Sequence, residues 1–112
     1  MRSSRTWLSR ASIIAAVGIS AAVPLQAAAA HDYVVPLANM AFGSIPSGLK
    51  VGDTITWVNK DSVPHTVTAR DHSFDLRVGP GQSSQLKLTK AGAYQIYCIL
   101  HAPMRASFTV GN

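Results

Sequence analysis

The sequence predicts an all-β domain, an antiparallel sandwich of seven or eight short strands. Three observations carry that prediction. Short apolar runs alternate with polar residues at period two, and no run keeps a helical period beyond one turn. Turn residues punctuate the chain at close intervals: Pro46-Ser47-Gly48, Gly52-Asp53, Gly79-Pro80-Gly81 and Lys90-Ala91-Gly92. With 112 residues there is room for one globular domain.

The domain starts late. Arg2, Arg5 and Arg10 make a positive start without an acid, Ile13 to Val23 is small and apolar, and Pro24 to Ala30 ends in small residues suited to cleavage. Residues 1–30 therefore read as a secretory signal peptide, with the cut after Ala27 or Ala30, and residues 31–112 as the domain. The apolar run is well short of the roughly 20 residues that span a bilayer, so no membrane span is expected after cleavage. The formal charge of +5 is mostly a property of this leader. Without its three arginines, seven Lys/Arg face five Asp, a net of +2. The positives are scattered, with no basic stripe for nucleic acid.

The strands follow in order. Asp32–Leu37 is the first, with Pro36 confining it to an edge or a bulge. Asn39–Ile45 is an irregular extended stretch and Leu49–Val51 a brief strand. Thr54–Asn59 places Ile55 and Trp57 on one face, and Lys60–Pro64 is a loop before the strand His65–Arg70. Asp71–Val78 is extended around Phe74 and Leu76. Gln82–Thr89 turns Leu86 and Leu88 inward, and Ala93–Cys98 puts Tyr94, Ile96 and Cys98 on one face. Arg105–Val110 points Ala106, Phe108 and Val110 inward.

One stretch carries chemistry. Between the last two strands lies Cys98-x-x-His101-x-x-Met104, holding the only cysteine. A lone thiol in an exported protein is a liability unless it is buried, paired between chains or bound to metal. About 82 residues without a disulfide bury a low fraction of their surface, and a metal that binds only the folded state would add stability. A second histidine is at hand. His31 lies at the cleavage boundary and His72 in a polar loop, whereas His65 follows Val63-Pro64 and opens a strand that fixes its imidazole. Two imidazoles, a thiolate and a weak thioether are the donor set of a blue-copper electron-transfer site. Such a set serves both copper oxidation states in nearly one geometry, so little has to move when an electron arrives.

Other readings compete. A lone buried Cys is usually a small hydrophobe, and a Met three residues past a His is usually packing. Zinc could use Cys and two His, but methionine is a poor zinc ligand. Cysteine–histidine nucleophilic catalysis needs a cleft for which so small a chain offers little material. A metalloenzyme would need an open position, which His31 could supply as an N-terminal chelator if cleavage follows Ala30. A copper-trafficking module would use the same four ligands without an electron-transfer role.

Residues 32–112 resemble the cupredoxins, type I blue-copper proteins of the plastocyanin, pseudoazurin and amicyanin group. The resemblance is carried by Gly52–Asn59 (GDTITWVN), Asp61–Val67 (DSVPHTV), Phe74-Asp75, Gly92–Cys98 (GAYQIYC) and Cys98–Met104 (CILHAPM). It implies a Greek-key β-sandwich and one type I copper on His65, Cys98, His101 and Met104. Only Ala102 and Pro103 separate His101 from Met104, which makes the ligand loop amicyanin-like in length. Ala-Pro stands where amicyanin has Pro-Phe, and Thr66 where Asn is common. The Thr66 hydroxyl is expected to reach across to the ligand loop. By the same resemblance the protein is a monomeric periplasmic electron carrier and not an enzyme. Its partners would be transient redox proteins, a dehydrogenase or oxidase and a c-type cytochrome. They would dock near His101, whose imidazole edge would emerge among Ile99, Leu100, Ala102 and Pro103, with Met40, Pro46 and Pro64 on loops at the same end.

Overall fold

The computed structural model describes residues 29–112, and the expected signal peptide lies almost wholly outside them. Among these residues are seven strands of four or more residues: β1 (Asp32–Ala38), β4 (Thr54–Asn59), β5 (His65–Ala69), β6 (Asp75–Val78), β7 (Ser83–Lys87), β8 (Gly92–Cys98) and β9 (His101–Gly111). Two strands have only two residues each, β2 (Ala41–Phe42) and β3 (Leu49–Lys50). They form two sheets, ordered β2-β1-β4-β7 and β3-β9-β8-β5-β6. No helix among the described residues is long and apolar enough to cross a membrane.

The period-two pattern decides which side chains meet between the sheets. β4 alternates half-buried and buried along its length, with Ile55 and Trp57 wholly covered. Val35 and Leu37 of β1 join them from the same sheet, and Val67, Val78, Ile96, Cys98, Met104, Phe108 and Val110 close the core from the other. Trp57 packs its ring edge-on to Phe42 at 6.0 Å and tilted against Phe108 at 6.4 Å. Each covered side chain of Leu or Val size contributes about 1.5–3 kcal/mol, so this layer is the main source of stability.

The sandwich is mixed rather than wholly antiparallel. β1 runs parallel to β4, and β3 parallel to β9. A hairpin would reverse direction, but the path from β1 to β4 passes through β3 in the opposite sheet and re-enters beside β1 in the same sense. Pro36 is not on an outermost strand either. Its carbonyl accepts from Gly43 N at 2.7 Å, and β2 pairs only with Leu37 and Ala38. The absent proline N–H therefore falls beyond the end of the β2 ladder, where no acceptor needs it. Gly43 is required at that approach, because a Cβ there would come within 2.7 Å of the Pro36 ring.

Two other expectations change at their ends. Asp71–Ser73 is a turn, with His72 at φ 66°, so the sixth strand begins only at Asp75. The last strand begins at His101 and not at Arg105. Tyr97 faces Arg105 while Cys98 faces His101, so one step along β8 is matched by four along β9. Ala102, Pro103 and Met104 are the extra residues of this bulge. A bulge of this kind re-aims side chains, and here it turns Met104 into the core.

Candidate metal centre

Strand phase and the bulge deliver three donors to one place. His65 opens β5 and is fully buried, Cys98 ends β8 fully buried, and His101 opens β9 half-buried. Their ligand atoms all lie within 4.8 Å of one another. His65 Nδ1 is 3.9 Å from Cys98 Sγ, and the two imidazoles meet edge-on with centroids 5.0 Å apart. Met104, the fourth expected residue, is buried in the same core cluster as Cys98.

The fit to a metal can be tested on these distances. Nitrogen and sulfur donors bound at about 2.1 and 2.3 Å and 120° apart would be roughly 3.8 Å from each other. The observed 3.9 Å between Nδ1 and Sγ matches. His101 adds a second indication, because its buried Nε2 has no hydrogen-bond partner. An unpaired ring nitrogen beside a thiol and an imidazole is an arrangement that a metal could complete.

Asp61 fixes the tautomer of His65. Its carboxylate accepts from His65 Nε2 at 2.8 Å, which puts the ring proton on Nε2 and leaves the Nδ1 lone pair facing Cys98. The same carboxylate accepts from the backbone N–H groups of Asn39 and Met40 at 2.8 and 2.9 Å. These donors hold its pKa below the usual carboxylate range, with the His65 bond contributing most. Asn39 and Met40 are the two residues of the β1–β2 hairpin, and both have positive φ, as a type I′ turn demands. Asp61 thus ties the imidazole to an otherwise strained turn. Its own N–H donates to Asn59 Oδ1, and buried Asn59 donates to the carbonyls of Val63 and Val78.

Cys98 Sγ accepts from Thr66 N at 3.3 Å, which places a backbone dipole where thiolate charge would develop. The expected bridge from Thr66 to the ligand loop is present, since Ile99 N donates to Thr66 Oγ1 at 2.8 Å. The relay continues outward. Thr66 and Thr68 hydroxyls are 2.9 Å apart, and Thr68 Oγ1 is 2.8 Å from Asp75 Oδ1. The carboxylate only accepts, so Thr68 gives it its single proton and Thr66 donates to Thr68.

Around this centre the surface is apolar. Ile99 is 52% exposed and Leu100 44%, so both face solvent, as do Met40 and Val63 beside Asp61 and Asn59. Ala102 and Pro103 are exposed as well, whereas Pro46 is half-buried. His31 does not join. It donates its backbone N–H to Asp53 at the start of β1, some 20 Å of strand away from the Leu37–Asn59 end. His72 stays in its exposed turn.

The contact of Asp61 with His65 is one that the sequence alone does not reveal. Its signal is a carboxylate four residues before a candidate ligand, across a proline-containing loop, but an acid at that distance touches a histidine only if the loop folds back on itself.

The fold is a two-sheet β-sandwich, and at one end it gathers a histidine–cysteine–histidine cluster that could hold a metal ion. The cupredoxin-like domain family matches residues 11–110, and the chain belongs to it. Amicyanin of Paracoccus denitrificans is 35% identical over 95 residues, covering 78% of this chain and 72% of that protein. Plastocyanin of Scenedesmus fuscus is 32% identical over 77 residues, covering 55% and 78%. Among solved structures, the Cu(I) form of a methionine-to-alanine mutant of amicyanin superposes with a TM-score of 0.59 at 32% identity, covering 70% of this chain and 80% of that one. An oxidized methionine-to-leucine mutant of amicyanin gives 0.61 at 31% identity, with the same coverage.

Proposed function

We propose that this protein is a type I blue-copper electron carrier in which His65, Cys98, His101 and Met104 hold one copper ion. The observation that carries the reading is the convergence of His65 Nδ1, Cys98 Sγ and His101 within 4.8 Å, on strands whose own hydrogen bonds hold them. Bound copper supplies one-electron Cu(II)/Cu(I) chemistry. The chain's part is to keep the donors still: Asp61 sets the His65 tautomer, the Thr66 amide supports the sulfur, and Thr66 Oγ1 holds Ile99. Donors fixed in this way need not rearrange when the charge changes, which favours transfer over substrate chemistry. The protein acts as a carrier, not an enzyme.

Residues 1–30 serve as the export signal, and residues 31–112 work as a monomer in the periplasm. The apolar end formed by Ile99, Leu100, Ala102 and Pro103 receives redox proteins one at a time, a dehydrogenase or oxidase as donor and a c-type cytochrome as acceptor. The test is the spectrum of the protein loaded with copper(II). An intense thiolate-to-copper band near ~600 nm is expected, and Cys98→Ala should abolish it. A loaded protein without the band refutes the reading.

A further inference from the structure

We propose that the amino end of the mature chain is a second metal site, a tetragonal copper(II) centre built from the α-amine and Nδ1 of His31 and the carboxylate of Asp53. It lies at the other end of β1 from the His65 cluster and shares no residue with it. The inference rests on the export reading of residues 1–30, with the cut after Ala30, and not on the carrier reading.

Two of the three donors are already pinned. Asp53 is only 3% exposed. Its Oδ2 accepts from Lys50 N at 2.9 Å, its own N–H donates to Lys50 O at 3.0 Å, and its carbonyl accepts from Leu88 N at 2.8 Å. Oδ1 is thereby aimed at His31, whose N donates to it at 2.9 Å. The His31 carbonyl accepts from Thr54 N at 2.9 Å, and Asp32 pairs with Thr54 in the β1–β4 ladder, so the backbone of His31 is held as well. The imidazole alone is free to turn. It is 66% exposed, with the Tyr33 ring beside it at 6.1 Å.

The covered carboxylate lacks a permanent cation. Buried carboxylates are rare unless paired or bound to metal. Among the described residues no lysine or arginine pairs with Asp53, and its one basic neighbour is His31 Nδ1 at 4.0 Å. Before cleavage His31 N is an amide without a free lone pair; a cut after Ala30 makes it an amine that has one. The amine and Nδ1 of one histidine close a six-membered chelate ring. Nitrogen and oxygen donors bound at about 2.0 Å stand roughly 2.8 Å apart at right angles and about 4.0 Å apart when opposite. The 2.9 Å from His31 N to Oδ1 and the 4.0 Å from Nδ1 to Oδ1 are these two separations, so the amine sits between imidazole and carboxylate in a T-shaped set. Such a planar set of nitrogen and oxygen suits copper(II) above the other divalent first-row metals, and without a thiolate it carries no intense charge-transfer band. The fourth corner of the square faces solvent.

The test expresses the full chain with its leader, recovers the exported protein and reads its mass. A chain beginning at His31 is expected. Titrated with copper(II), it should take up two equivalents, one with the ~600 nm band and one without it, the latter showing nitrogen hyperfine structure in electron paramagnetic resonance. His31→Gln should abolish the tetragonal signal and leave the band. One alanine inserted before His31 should do the same, because it displaces the amine and keeps both side chains. Asp53→Asn should hold the tetragonal copper at least about tenfold more weakly in a chelator competition, whereas Asp32→Asn on the exposed neighbour should not. Far-ultraviolet circular dichroism checks the fold of each variant. A chain beginning at Ala28, a tetragonal signal that is absent or survives His31→Gln, or equal affinity in Asp53→Asn or the extended chain would each overturn the proposal. A leader left in place would refute the export reading with it. A missing ~600 nm band is a failure of the carrier reading alone, since the tetragonal signal is counted without it.

Discussion

Replacing Thr66 by valine tests the link between β5 and the ligand hairpin with almost no change in volume. Thr66 is buried to 1% exposure, and its hydroxyl accepts from Ile99 N at 2.8 Å. The valine methyl cannot accept, so the Ile99 amide loses its partner. Thr68 keeps its bond to Asp75. An unsatisfied buried donor costs about 1–3 kcal/mol, and the amide is only partly buried at a hairpin tip, so ~1.5 kcal/mol applies. In a domain of this size, that lowers Tm by roughly 6–12 °C. Urea and thermal unfolding of the metal-free protein would read the loss, and amide hydrogen exchange at Ile99 should quicken in parallel. Thr66→Ser keeps the acceptor and should recover most of the stability. The Thr66 N–H bond to Cys98 Sγ is a backbone bond and survives, so the copper band should persist in both variants. A valine variant within ~0.5 kcal/mol of the parent, with Ile99 exchange unchanged, would refute the reasoning.

Other outcomes follow from the same geometry. Asp61→Asn substitutes a neutral group for the carboxylate on His65 Nε2 and should weaken copper binding by about 10–100-fold in a chelator competition; unchanged affinity, with the His65 ring proton still on Nε2 by nitrogen NMR, would count against Asp61 as its anchor. Met104→Ala should shift the reduction potential and also destabilise the metal-free protein by about 2–5 kcal/mol in urea titration, because the side chain is buried among core residues. The Asp53 pKa is lowered, first by the backbone N–H of His31 and then by that of Lys50. A depressed folded pKa stabilises above the ordinary value of 3.8, and that contribution is lost as the pH falls through the lower folded value. Asp53→Asn should therefore flatten acid unfolding below about pH 4, and a variant that follows the parent's acid profile would remove Asp53 from it.

Much of this was legible in the chain itself. Ile55, Trp57, Ile96, Cys98, Phe108 and Val110 alternate with residues of lesser burial, and period two commits them to the core whatever their partners. The spacing of Cys98, His101 and Met104 is equally local, and Val63-Pro64 before His65 marks a strand start. Partnerships between distant segments were not legible. The parallel pairing of β1 with β4 depends on a crossing through the other sheet, and the start of β9 at His101 depends on a bulge against β8. Asp61 became the anchor of His65 only because its loop folds back over the β1–β2 turn. The sequence by itself determined the strand faces and the donor set of Cys98-x-x-His101-x-x-Met104, since alternation and short spacing are properties of neighbouring residues. Tertiary structure alone decided which strands lie side by side, and with them where the donors converge and what steadies them. Strand hydrogen bonds are made by backbone groups that every residue carries, so pairing is chosen by the packing of the whole sandwich and not by any one segment.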